Sequence, residues 1–151
     1  MNGSSWLDRE WSTSALGPDQ SGWDWFALQL DDGRDLMFYR LRNQDGAMDP
    51  HSSGILVDAD GATRKISSEE VKLEPLALWT NSESGDRYPT QWRLQVPAEN
   101  LDLTVTPLIG DQEMRLSVRY WEGAVAVSGT AAGQPITGRG YLEMTRYEIM
   151  P

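Results

Sequence analysis

Apolar and polar positions alternate with a period of two along much of the chain. In Tyr88, Thr90, Trp92, Leu94 and Val96 a mostly apolar face interleaves with Pro89, Gln91, Arg93 and Gln95, which is the pattern of a strand with one wet face. Leu101, Leu103 and Val105 against Asp102, Thr104 and Thr106 repeat it, as do Met114, Leu116, Val118 and Tyr120 against Arg115, Ser117 and Arg119. The runs Trp23–Leu30 and Leu36–Leu41 are apolar on both faces, which places them where both sides of a sheet are covered. The same reading predicts strands near Trp6–Trp11, Ser53–Val57, Thr63–Ile66, Val71–Trp79, Ala124–Thr130 and Ile136–Tyr147.

Turn residues separate these runs at intervals of about 10 to 15 residues, among them Asp45-Gly46, Asp60-Gly61, Gly110 and Gly133. Asp31-Asp32-Gly33, between two apolar runs, is a strong hairpin signal. No helical stripe of useful length is present, the nearest feature being a turn at Ser67–Val71. Strands without a long helix must protect their sheet edges, and closure removes those edges altogether. The predicted fold is therefore all-β, a single-domain antiparallel barrel of about 8–10 strands over residues 1–151. A two-sheet sandwich is the alternative, and residues 1–5 and 148–151 read as loose termini.

Composition narrows the function. The 151 residues contain no Cys, which excludes disulfides, a thiol nucleophile, an iron–sulfur cluster and a cysteine zinc site. Thirteen basic against 23 acidic residues leave a net charge of −10, which disfavours nucleic acid and anionic membrane surfaces as partners. No apolar stretch approaches the ~18 residues of a membrane span, and MNGSSWLDRE lacks the regions of a signal peptide. The chain reads as soluble, either cytoplasmic or, with a signal removed upstream, periplasmic or secreted.

The aromatic residues are more informative. Seven Trp and five Tyr stand against two Phe, so most of the rings carry a polar handle suited to a surface apolar on one side and wet on the other. An eight-stranded barrel has an interior wide enough for packed side chains or for one small ligand. Trp11, Trp25, Tyr39, Trp79, Trp92, Tyr120 and Tyr141 are the candidates for lining or lidding such a space.

Several segments together resemble one family. WLDREW at 6–11, GWDWFALQLDDGRDLMFYRLRNQDG at 22–46, YPTQWRLQVP at 88–97, DQE at 111–113, YWEGAVAVSG at 120–129 and GRGYLEMTRY at 138–147 are similar to the lipocalin-like proteins typified by bacterial AttH and carotenoid 1,2-hydratases. The resemblance implies a lipocalin-like barrel, equivalent to the second of two in such proteins. In the family's opening motif, Trp-x-Asp-His-Glu-Trp, the His position is here Arg9. That His is a candidate active-site residue of the hydratase branch, so the departure bears on hydration by the family mechanism. In the closing motif Arg146 stands where the family has Gly.

Three functions follow as expectations. The first is binding of a small hydrophobic molecule of isoprenoid, fatty acid or polyketide type in an aromatic-lined cavity. The second is a hydratase or cyclase acting on an isoprenoid or polyene. Such chemistry needs a neutral proton donor and π-faces for a developing cation, and a carboxyl buried among Trp and Tyr supplies the donor. Glu122, after Tyr120 and Trp121, is the candidate acid, sharing the inward face if the Met114–Tyr120 alternation continues. Asp24 alternates with Trp23 and Trp25 and so points away from them, and Glu10 and Glu143 flank the seam between first and last strands. The third is a non-catalytic barrel that docks on a sister barrel or dimerises.

Other chemistry is thinly represented. His51 is the single imidazole and lies in a turn-like segment, and no Gly-x-Ser-x-Gly elbow places a serine nucleophile. No ligand spacing for a metal and no Gly-rich phosphate cradle is present, so neither metal nor cofactor is expected.

Overall fold

A computed structural model of the protein describes residues 5–8, 16–115, 119–145 and 147. Ten strands carry it: β1 (Gln20–Leu30), β2 (Asp35–Asn43), β3 (Ser53–Val57), β4 (Thr63–Ser67), β5 (Lys72–Thr80), β6 (Arg87–Val96), β7 (Leu101–Pro107), β8 (Glu113–Arg115), β9 (Arg119–Ala131) and β10 (Gln134–Thr145). A three-residue 3-10 turn, Pro97–Glu99, joins β6 to β7. Among the described residues no helix is long and apolar enough to cross a membrane.

The strands form one antiparallel sheet in the order β4-β3-β2-β1-β10-β9-β7-β6-β5, with β8 paired on β9. The hairpin expected at Asp31-Asp32-Gly33 joins β1 to β2, with Gly33 in the left-handed region at φ 89°. The last strand, β10, pairs with β1, whereas the seam expected beside Glu10, between a Trp6–Trp11 strand and the last strand, falls on residues that form no strand or lie outside those described.

The sheet curls on itself. Phe26 on β1 and Trp92 on β6 meet edge to face with ring centroids 5.8 Å apart, although β10, β9 and β7 lie between them in the order. Four flat strand spacings would hold them about 19 Å apart. The concave side is the core, where Phe26, Phe38, Leu94, Leu103, Trp121 and Leu142 are among the side chains with no exposure. The result is an all-β, antiparallel, lipocalin-like barrel in half-barrel form.

Closure differs from a fully hydrogen-bonded cylinder. In the described residues β4 and β5 end the order, so the curl is tied by side chains instead. Arg64 on β4 reaches the 3-10 turn between β6 and β7, its Nη2 2.6 Å from Glu99 Oε1. Each edge has a device against pairing with foreign strands: β4 is short and polar, and β5 carries Pro75.

Two predicted strands are corrected. Residues 6–8 form no strand, and residues 9–11 lie outside the described residues. The run Met114–Tyr120 is not one strand but parts of two, with Met114 paired to Tyr120 and Arg115 to Arg119 in the β8–β9 ladder. Its period of two was that of both arms of a hairpin, which alternation alone cannot distinguish from a single strand.

Candidate functional site

The central strands β1, β10 and β9 present two chemically distinct faces because successive side chains point to opposite sides. On the concave side β1 contributes Asp24, Phe26, Leu28 and Leu30, all buried. On the convex side it contributes Trp23, Trp25, Ala27 and Gln29, and these line a groove of about 620 Å³ together with Trp6, Leu108, Arg139, Tyr141 and Glu143. That volume falls in the range of small-molecule sites.

The ladder registers lay out the convex face around the groove in three rows. Trp25, Glu143 and Glu122 form the first, Ala27, Tyr141 and Ala124 the second, and Gln29, Arg139 and Ala126 the third. Alanines flanking Tyr141 make the depression, since neither strand beside it raises a large side chain there. The Trp6 and Trp25 rings meet at 78° with centroids 6.2 Å apart, forming a two-sided corner at one end. Trp23 packs on Tyr120 at 6.2 Å, and its Nε1–H donates to Glu143 Oε1 at 2.8 Å.

Burial governs the ionisation of this wall. It raises the Glu122 carboxyl above its ordinary value, and burial first, then the charges of Glu122 and Glu143, raises the Tyr141 hydroxyl.

The concave side carries a separate polar cluster. Asp24 has no exposed surface and accepts from Arg42 Nη1 at 2.6 Å, from the Tyr147 hydroxyl at 2.9 Å and, more distantly, from Arg40 Nη1 at 3.4 Å. Burial pushes its carboxyl up, against the opposing pull of Arg42, Arg40 and the Tyr147 bond. The Arg42 guanidinium also lies 3.8 Å from the Tyr147 ring centroid and donates to the Thr145 carbonyl.

The residues predicted to line one interior space are divided between the two faces. Trp25 and Tyr141 line the convex groove, Tyr120 supports its Trp23 wall, and Glu122 stands opposite Glu143 at its edge. Tyr39 is opposite Trp25 on β2, on the same face, and its hydroxyl accepts from Ser53 at 2.9 Å. Trp92 is on the concave side, fully buried, and Trp79 packs beside the core against Tyr88 at 6.0 Å. Trp11 lies outside the described residues, as do Arg9, Glu10 and Arg146. Glu122 does share a face with Tyr120, as the alternation predicts, but that face is convex because the buried Trp121 takes the inward parity.

Sequence reasoning left Trp6, Trp23 and Leu108 out of the site. Trp23 was findable, since period two puts it on the same face as Trp25. Asp24 does point away from both Trp neighbours, as predicted. His51 is exposed in a loop, with Nδ1 2.8 Å from Asp49. Among the described residues no group of three or more His, Asp or Glu is arranged to hold a metal ion.

Comparison with known proteins follows the fold closely. The AttH-like family profile matches residues 1–147. A crystal structure described as AttH from Nitrosomonas europaea superposes with a TM-score of 0.78 at 35% identity, over 92% of this chain and 42% of that one. Kievitone hydratase from Nectria haematococca superposes with a TM-score of 0.74 at 19% identity, over 93% of this chain and 43% of the enzyme. The chain thus spans less than half the length of either structure. Among curated proteins no sequence matches.

Proposed function

Since the chain belongs to the AttH-like family, we propose that it is a lipocalin-like domain that binds a small hydrophobic molecule in the Trp-walled groove of its convex face. The observation that carries this reading is the groove itself: about 620 Å³, with Trp6, Trp23, Trp25 and Tyr141 around an alanine floor. The packed concave core favours the convex side, where aromatic area is not consumed by the fold's own packing. Apolar walls with a few convergent polar groups are the general character of ligand sites.

Titration with farnesol, a neutral isoprenoid alcohol, tests it. Saturable quenching of tryptophan emission is expected, and Trp25→Ala should remove most of it while the far-ultraviolet spectrum is unchanged. Unaltered emission in the wild-type protein would overturn the reading.

One feature favours a second reading, catalysis of the hydratase or cyclase kind. Glu122 is a partly buried carboxyl that burial raises above its ordinary value, beside a wall that also offers Trp and Tyr faces to a developing cation. Under that reading, protonation of a polyene by Glu122 precedes capture of the cation by water. Turnover should then vanish in Glu122→Gln with farnesol binding retained, and turnover that persists excludes Glu122. In longer relatives the remaining half of the chain is a further candidate to contact this face, through the exposed Leu108 and Ile109 beside the groove.

A further inference from the structure

The convex face leaves large apolar side chains uncovered around its groove. Leu108 is 65% exposed and Tyr141 39% exposed, and both line the groove. Met114, level with Tyr120 in the β8–β9 ladder, and Leu7, between the groove residues Trp6 and Asp8, are exposed beside it. Clustered apolar exposure of this kind marks a surface that another surface covers.

The face also carries a pattern complementary to itself. Its second row is Ala27, Tyr141 and Ala124, and Leu108 extends that row because its amide donates to the Ala124 carbonyl. Glu122 stands in the row on one side and Arg139 in the row on the other. Among the described residues neither side chain forms an ion pair. Their levels are four residues apart along the strands, about 13 Å, so the two do not meet within one chain.

We propose that a second copy of this chain docks on the convex face, related to the first by a two-fold axis along the second row. Rotation about that axis reverses the strands, so the third row of each copy faces the first row of the other. Arg139 of each copy then meets the Glu122 level of the other, and Tyr141 and Leu108 meet their own counterparts on the axis. A two-fold contact requires this kind of self-complementarity. Sheets packed face to face lie about 10 Å apart, a gap that a long guanidinium side chain and a glutamate span together. Because the second row offers alanines beside Tyr141, the two grooves open toward each other. Docking therefore turns two open grooves into one enclosed space.

The enclosure deepens the proposed function and rests on the groove being a ligand site, whereas the docking itself needs no ligand. Two chains of net charge −10 repel at long range, so association is measured at physiological salt, where the screening length is about 8 Å. Sedimentation velocity from micromolar to millimolar chain should show a 16.9 kDa species giving way reversibly to one of twice that mass. Leu108→Glu sets two carboxylates against each other on the axis, and Arg139→Glu sets one against the Glu122 level. Each should weaken association at least about tenfold. Adding Glu122→Arg to Arg139→Glu should restore most of it, which damage to the fold cannot imitate. Lys65→Glu, the same change of charge at an exposed position on β4, should leave association intact. A chain that stays monomeric overturns the proposal and leaves the face to a second domain of a longer protein. Association equally strong in Leu108→Glu and Arg139→Glu also overturns it, as does failure of the double change to restore what Arg139→Glu loses. Farnesol binding by a chain that stays monomeric keeps the groove as a ligand site without the docking. A dimer that binds no farnesol keeps the docking and overturns the ligand reading. Should Leu108→Glu fail to fold, the charge reversal and its rescue carry the same comparison.

Discussion

Asp24 and Arg42 form an ion pair sealed inside the curl, 2.6 Å apart, with the carboxylate wholly buried and the guanidinium side chain 7% exposed. Removing one partner of such a pair leaves a charge without compensation, at a cost of about 3–5 kcal/mol. Arg40 at 3.4 Å and the Tyr147 hydroxyl still face Asp24, so Arg42→Met, which keeps much of the volume, should lower unfolding free energy by up to about that amount at neutral pH in urea titrations. The deficit has a predictable pH dependence. Burial raises the folded Asp24 carboxyl above its ordinary 3.8, so the native state holds this proton more firmly than the unfolded chain. In the window above 3.8 stability then falls as pH rises, and loss of Arg42 deepens that fall. The Arg42→Met deficit should shrink as the solution is acidified toward that window, and a deficit independent of pH would exclude a stranded Asp24 charge as its cause.

The opposite sign holds at the edge of the sheet. Glu70 accepts from the Ser67 amide at 2.8 Å and the Ser67 hydroxyl at 3.0 Å, and pairs with Arg64 at 2.6 Å. These bonds to the ionised form, the Ser67 amide foremost, lower its carboxyl from 4.5 to about 2. Its contribution to stability is fully present above 4.5 and is lost as pH falls from 4.5 toward 2. Arg64 also ties β4 to Glu99, so protonation of Glu70 loosens one of the cation's two anchors. Glu70→Gln should remove a component of the acid-induced loss confined to that interval. Parallel profiles for the two proteins between pH 7 and acid would refute it.

Much of the fold was legible because its signals are local. Alternation in Tyr88–Val96 and Leu101–Thr106, and Asp-Gly turns between runs, placed β6, β7 and the hairpins near their positions. Trp121 and Glu122 show where that legibility stops. Parity places the two on opposite faces, yet which face is concave depends on how the whole sheet curls, a property of contacts such as Phe26 with Trp92 across the barrel. The aromatic residues were for this reason assigned to one space when the sheet distributes them to both. The Asp24 cluster was hidden for a related reason. Leu36–Leu41 reads as apolar on both faces, and the inward direction of Arg40 and Arg42 follows only from cross-strand pairing with Asp24 and Gly22.

Gly140 couples packing to the groove. A Cβ there would collide with the Ala27 carbonyl oxygen and press on Leu28 in the neighbouring strand. Its requirement is close approach of β1 and β10, since it has no positive φ. Gly140→Ala should cost about 1–3 kcal/mol through forced strand separation. Because Gly140 also lines the groove between Arg139 and Tyr141, farnesol affinity should fall in the same variant. Full stability with weakened binding would place the methyl in the groove rather than between the strands.

Two buried indoles offer a paired experiment on polar satisfaction. Trp121 and Trp92 are both without exposed surface. The Trp121 Nε1–H donates to the Gly110 carbonyl at 2.9 Å, whereas the Trp92 Nε1–H has no acceptor among the described residues. Replacement by Phe removes similar apolar volume in each case, so the cavity contribution nearly cancels in the comparison. What differs is the polar outcome. At Trp121 the change removes a hydrogen bond that is made, to the carbonyl of the exposed Gly110, and at Trp92 it relieves a buried donor that was already unpaired. An unsatisfied buried group costs about 1–3 kcal/mol. Trp121→Phe should therefore be the more destabilising by about 1–3 kcal/mol in urea titration, with Trp92→Phe closer to wild type. Arg40 adds a small opposing effect, because its guanidinium lies 5.7 Å from the Trp92 ring centroid and Phe offers a weaker face to it. Equal costs for the two changes would show that the Trp92 N–H is satisfied in solution, by an ordered water or by a residue outside those described.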